Sequence, residues 1–266
     1  MRMTGLTQAT KRSFAVGWML FAASVLGMAN ATAQPSIQNL GVFSMLGDGL
    51  QLVFPADATD TRLDRNLRES LPTKDIGFDQ AALRAVRDVL SRQQPQARMQ
   101  MFRSNTTVEP SAQRALAEGA SKAELPAWIV STISSAKLSH LLIITRHRGD
   151  ASFPVTNGFS VGRGTVEGIG YYLDKSTEIK NLDTGRPSLG FLGAFVMLRL
   201  QLMDARTGEM LGSQDVRVGQ LHAGRNDKEA ANIWDALDPR EKVEVLRQMV
   251  QDNVGRVMPA VLAGPR

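Results

Sequence analysis

Apolar positions alternate with their neighbours over Leu40, Val42, Ser44 and Leu46, and again over Leu50, Leu52 and Phe54. Gly47-Asp48-Gly49 lies between the two runs, so the pattern predicts an N-terminal hairpin. The chain then turns polar from Pro55 to Gly77, a long loop with at most one short edge strand. Leu83, Val86 and Leu90 recur at helical spacing, which predicts a helix from an N-cap at Asp79 to about Gln93, stopped by Pro95. A strand at Arg98–Phe102 and a brief helix at 111–118 follow. Leu125, Ile129, Ile133 and Ala136 then mark a stronger helix, whose first turn accommodates Pro126. Leu141-Leu142-Ile143-Ile144 is a continuous apolar run of strand length, expected to be covered on both faces in the middle of the sheet.

Between Asp150 and Gly190 glycines are frequent, and only Val166–Leu173 reads as strand. The clearest hairpin follows. Leu198, Leu200 and Leu202 alternate with polar neighbours, 204–208 carries the turn chemistry of Asp204-Ala205-Arg206-Thr207-Gly208, and Val216 and Val218 resume the alternation. A long amphipathic C-terminal helix opens on Asp238, Pro239 and Glu241, a capping-box start, with Val243, Leu246, Val250, Val254 and Val257 as its stripe. These elements predict an α/β (α+β) class: one mixed, largely antiparallel sheet with two hairpins and at least three packed helices, the long C-terminal helix among them.

The N-terminus stands apart from this pattern. Arg2, Lys11 and Arg12 precede an uncharged, mostly apolar stretch from Phe14 to Ala29, and Ala31-Thr32-Ala33 supplies the small-x-small pattern of a signal peptidase site. Residues 1–33 are therefore expected to be a cleaved signal peptide and 34–266 a single α/β domain in the periplasm, exported and not lipidated. Removing three cations and no acid takes the formal charge from +5 to +2, too small a surplus to favour nucleic acid. After cleavage no apolar run is long enough to span a membrane.

Across 266 residues, 43% hydrophobic and 21% charged, the composition is that of a globular protein. The absence of cysteine excludes disulfides, thiolate metal sites, cysteine nucleophiles and a lipobox. Gly158-Phe159-Ser160-Val161-Gly162 matches the nucleophile elbow G-x-S-x-G, with His222 downstream and Asp204 and Asp215 between. The elbow requires a helix after the serine, and the glycine-rich, strand-like 163–168 does not provide one. Ser134-Ser135-Ala136-Lys137 matches S-x-x-K, but near a helix C-terminus. His140 and His147 fall on opposite faces of a strand, and Asp57, Asp60 and Asp64 lack the glycine and closing glutamate of a calcium loop, so neither group suggests a metal. No cofactor is expected.

The segment from Arg146 to Tyr172 combines Arg146, His147, Arg148 and Arg163 with both tyrosines, Tyr171 and Tyr172, among glycines that follow the central strand. Such loops are frequent binding sites, and these six residues are the candidate site. The run Val196–Val218, with Met-Asp-Ala-Arg-Thr-Gly-Glu between its strands, resembles a hairpin of bacterial envelope α/β domains. Examples are the N-terminal domain of the Tol-Pal translocation protein, the curli export lipoprotein and the outer-membrane activators of penicillin-binding proteins. That resemblance implies action through surfaces. The reading is a non-catalytic periplasmic envelope factor that binds a protein partner or a small envelope ligand. The alternative is a serine hydrolase using Ser160.

Overall fold

In a computed structural model the described residues are 36–56, 66–73, 76–103, 113, 116, 125–155, 158–180, 187–223 and 233–264. The expected signal peptide, Asp57, Asp60, Asp64 and most of the 111–118 helix lie outside them.

The strands are β1 (Asn39–Ser44), β2 (Leu50–Phe54), β3 (Leu67–Leu71), β4 (Arg98–Arg103), β5 (His140–Arg146), β6 (Arg148–Asp150), β7 (Phe153–Pro154), β8 (Ser160–Val161), β9 (Thr165–Lys180), β10 (Pro187–Asp204) and β11 (Met210–Ala223). The helices are α1 (Phe78–Gln93), α2 (Ala127–Ser135) and α3 (Pro239–Ala263), the last preceded by a 3-10 turn at Ile233–Ala236. Nine strands form one sheet in the order β3-β2-β9-β10-β5-β1-β4, with β11 on β10 and β6 on β9. Pairing is parallel for β1 with β4 and β5 and for β2 with β9, and antiparallel elsewhere. The chain has the expected α+β class.

The organising strand is β10. It pairs with β11 from Phe191 to Met203, while its other partner changes from β9 (up to Met197) to β5 (from Leu198). The sheet forks there into a wing of β9, β2 and β3 and a wing of β5, β1 and β4. The fork explains why the first expected hairpin does not form. β1 and β2 begin and end close to where the alternation puts them, but they enter different wings, and Met45–Gly49 carries the chain across. Parallel partners for β1 come from residues near 100 and 140, which local pattern does not report.

Alternation along the strands sends two sets of side chains to two faces. Leu40, Val42, Leu142, Ile144, Tyr171 and the even-numbered leucines of β10 meet α1 and α3 on one face. The other face is covered in two places. Phe43, Leu141 and Ile143 meet Ile129 and Ile133 of α2, while Tyr172, Phe191, Phe195 and Met197 meet Phe153. Phe153 is fully buried and lies on glycines: a Cβ at Gly193 would come 2.5 Å from its ring and one at Gly219 2.3 Å from Ser152 O. β5 is buried throughout Leu141–Thr145, as its unbroken apolar run predicts.

The start of α3 follows the sequence closely, whereas α2 starts later than expected, with Pro126 as its N-cap instead of in its first turn and Leu125 before it. Asp238 accepts from the amides of Arg240 and Glu241, and Glu241 accepts from the Asp238 amide, completing the capping box. At α1 the expected cap is corrected. Gly77 occupies the N-cap position, and the Asp79 carboxylate instead accepts from the amides of Leu46 and Gly47 in the β1–β2 connection. β9, β10 and β11 all run longer than their apolar alternation suggests. Glycines at 168 and 170 interrupt the pattern of β9 without ending it. No helix among the described residues is long and apolar enough to cross a membrane.

Candidate functional site

The segment that leaves β5 threads the fork. The His147 amide donates to Met197 O at 2.9 Å and its carbonyl accepts from the Gly168 amide at 3.0 Å, so one residue joins β10 to β9. Gly168 has φ of +73°, and a Cβ there would come 2.8 Å from Arg146 Cδ; only glycine combines that backbone with that neighbour.

The Arg146 side chain turns inward. Nε donates to Leu46 O at 2.7 Å and Nη2 to Gly49 O at 2.6 Å. Asp79 holds the amides of the same connection, so the crossing between the wings is fixed through both its donors and its acceptors. Burial pulls the guanidinium pKa below its ordinary value, opposed by Asp79, Glu167 and Asp48.

His147 turns the other way, into a charged cluster centred on Asp215 of β11. Arg199 is bidentate, with Nε at 2.6 Å from Oδ1 and Nη2 at 3.0 Å from Oδ2, and Arg217 Nη2 reaches Oδ2 at 2.7 Å. His147 Nε2 lies 3.4 Å from the same Oδ2 and 3.3 Å from Arg199 Nη2. Burial alone would raise the Asp215 carboxyl, but the hydrogen bond from Arg199 and the charges of His147 and Arg199 hold it below the usual carboxylate range. Burial lowers the imidazole pKa; Asp215 opposes this, and Arg199 and Arg217 reinforce it.

Three exposed arginines gather one strand further out. Arg148 Nε donates to Thr165 Oγ1 at 2.9 Å. Arg68 Nη2, from β3, donates to the same Oγ1 at 2.9 Å and to Thr165 O at 3.1 Å. The backbone of Arg163 is held by Asn66, whose Nδ2 donates to its carbonyl at 2.8 Å, and by Tyr172, whose hydroxyl accepts from its amide at 3.1 Å. Asp150 and Glu167 belong to the same neighbourhood, facing Thr165 and Arg148 in register. Chemically, two guanidiniums share one hydroxyl and the Arg163 backbone is fixed beside them, an arrangement that can contact carboxylate or phosphate oxygens.

The six residues singled out from sequence therefore divide. Arg148 and Arg163 share the exposed patch, Arg146 is built into the fork, and His147 belongs to the Asp215 cluster. Tyr171 and Tyr172 are fully buried on opposite faces of β9. Tyr171 donates to Lys242 O at 2.7 Å, its ring edge-on to Trp234, and burial raises its pKa. Tyr172 carries the support for Arg163 described above. Sequence reading missed Arg68, Arg199 and Arg217, and weighed Asp215 only as a partner of Ser160 and His222. Counting outward from the 204–208 turn brings Arg199 opposite Asp215, but a register shift at Leu202/Met203 has to be included.

Ser160 lies in β8, which pairs with β7 and runs through Gly162 and Gly164 into β9. A strand follows the serine where an elbow needs a helix N-terminus, so no helical amides are aimed at a reacting oxyanion.

No family model matches the chain, and no curated protein matches it. Among solved structures, a neuraminyllactose-binding hemagglutinin homolog from Helicobacter pylori aligns over 86% of both chains at 9% identity with a TM-score of 0.38. PelC from Paraburkholderia phytofirmans, described as a dodecamer, aligns over 87% of this chain and 95% of its own at 9% identity and 0.31. Lipoprotein GNA1162 from Neisseria meningitidis covers 83% and 99% at 10% identity and 0.27. None of the three is described as belonging to the envelope families that the 196–218 hairpin resembles. With scores below 0.5, none of these likenesses carries a role over to this chain.

Proposed function

We propose that the protein is a non-catalytic envelope factor, exported with a signal cut after Ala33, whose mature domain 34–266 binds an acidic partner on the arginine patch of Arg68, Arg148 and Arg163. The ligand is a carboxylate- or phosphate-bearing envelope protein or small periplasmic molecule. The observation that carries this reading is the convergence of Arg68 and Arg148, 80 residues apart in sequence, on the single hydroxyl of Thr165. The Thr165 hydroxyl holds both side chains in place, which reduces the entropy lost when an anion binds.

The test is a pull-down from periplasmic extract by mature protein against the triple variant Arg68→Ala, Arg148→Ala, Arg163→Ala. Capture of an acidic component by the wild type, weakened by salt and lost in the variant at unchanged melting temperature, is the expected outcome. Equal capture by both proteins refutes the patch. Fluorophosphonate labelling that disappears in Ser160→Ala would replace the whole reading with hydrolysis.

A further inference from the structure

A second surface has the opposite charge. β11 pairs only with β10 among the described residues, so one edge of this 14-residue strand has no strand partner. Beside it, α3 and β11 enclose an elongated groove of about 690 Å³. Its wall on the strand side is the consecutive run Val218–Gln220, and residues 241–253 of α3 line the other side at helical spacing. Twelve helical steps span roughly 18 Å, the length of about five extended residues.

Apolar contact in the groove comes from Val218, Val245 and Met249, and the rim carries Glu241, Glu244 and Asp252. No lysine or arginine is among the described residues lining it. The rim acids have contacts of their own: Glu241 Oε2 accepts from the Asp238 amide, Glu244 Oε2 meets Arg247 at 3.1 Å, and Asp252 Oδ1 accepts from Gln248 at 2.8 Å. Arg247 neutralises the charge of Glu244, whereas the contacts of Glu241 and Asp252 are to uncharged donors, so the acidic row rests on Glu241 and Asp252.

An edge strand beside an apolar groove is the setting for β-strand addition, in which main-chain bonds supply affinity and alternate side chains supply selectivity. We propose that this groove receives an extended peptide segment of a partner protein, with apolar and Lys/Arg residues taking turns along the one face that looks toward α3, as an added strand on β11. Its apolar side chains meet Val218, Val245 and Met249 while its cations reach the acidic row. Charge selects this occupant over two others. Two-fold pairing of two copies through β11 would set acidic rim against acidic rim, and an anionic lipid surface would be repelled by the same carboxylates.

The experiment measures binding of fluorescein-labelled Gly-Val-Thr-Lys-Thr-Val-Thr-Lys-Gly, whose valines and lysines share one strand face, to the mature protein by fluorescence anisotropy, with the lysines replaced by glutamate in a control peptide. Binding of the lysine peptide at least tenfold tighter than the glutamate peptide, together with slowed amide exchange in residues 213–220, is expected. The variant Glu244→Lys with Asp252→Lys alters two exposed side chains and should reverse the preference while lowering the melting temperature by no more than about 5 °C, the effect of losing two surface contacts. Equal binding of both peptides, no binding at millimolar concentration, or binding that survives the charge reversal overturns the proposal. So does a concentration-dependent dimer abolished by the same reversal, because the occupant is then a second copy of this chain.

Discussion

Replacing Arg146 with methionine tests whether its guanidinium holds the fork together. The substitution keeps a long, flexible side chain in the same space but removes two short hydrogen bonds, to Leu46 O and Gly49 O. A hydrogen bond from a charged group contributes about 1.5–3 kcal/mol. Relief from burying a cation offsets part of the sum, which leaves an expected loss of about 3–4 kcal/mol. In a chain of this size 1 kcal/mol moves the melting temperature by roughly 2–4 °C, so the variant should melt about 10 °C lower. Lysine at 146 keeps the charge, but a single ammonium lacks the fork that spans both carbonyls, and it should recover no more than half the loss. Thermal and urea unfolding followed by circular dichroism give both numbers. A methionine variant within about 1 kcal/mol of wild type would refute the assignment. Lost ligand capture at undiminished stability would return Arg146 to the binding surface.

Three further outcomes can be checked by simple means. Phe153→Ala removes a fully buried ring from its seat on Gly193 and Gly219 and should cost about 3–5 kcal/mol; trypsin should then cut faster after Arg163, and an unchanged rate would contradict the docked arrangement of 151–164. Asp238→Ala deletes the acceptor of two helix-start amides and should cost about 1 kcal/mol in urea unfolding; no loss would mean that solvent caps α3 equally well. Burial lowers the pKa of His140, His147 and His222, so the unfolded chain binds more protons and stability should fall as pH drops below about 6.5. Asp204 and Asp215, also lowered, add a loss of the same sign as pH falls below about 3.8, and a melting temperature that rises on acidification from pH 7 to 5 would break the sign argument.

Local chemistry made much of the fold readable. The cap at Asp238, the turn after Asp204 and the unbroken apolar run of β5 each depend on residues within a few positions of one another. What could not be read is what long-range pairing decides. Leu40 lies beside Met99 on one side and His140 on the other, and no short window around Leu40 contains that information. The same limit applies to the candidate site. Arg148 and Arg163 were visible as cations in a glycine-rich segment, whereas Arg68 joins them only because β3 pairs with β2 and β2 with β9. Tyr171 and Tyr172 drew attention as rare aromatics, yet β9 is covered on both faces and takes both rings inside.

The forked partnership of β10 also constrains the order in which the molecule can be completed. A chain elongating from its N-terminus can form β1 with β4 and β5, and β2 with β3 and β9, before residue 187 exists. Until β10 arrives the two half-sheets meet only where β6 continues β5 onto the start of β9, and the edges β10 will occupy are open hydrogen-bonding templates. Pairings across 60 to 100 residues are slow to form compared with the turn-linked β10–β11 hairpin. The last third of the chain is therefore the keystone of the sheet, and a product truncated before Pro187 should persist as a sticky, incompletely paired intermediate instead of a smaller native domain.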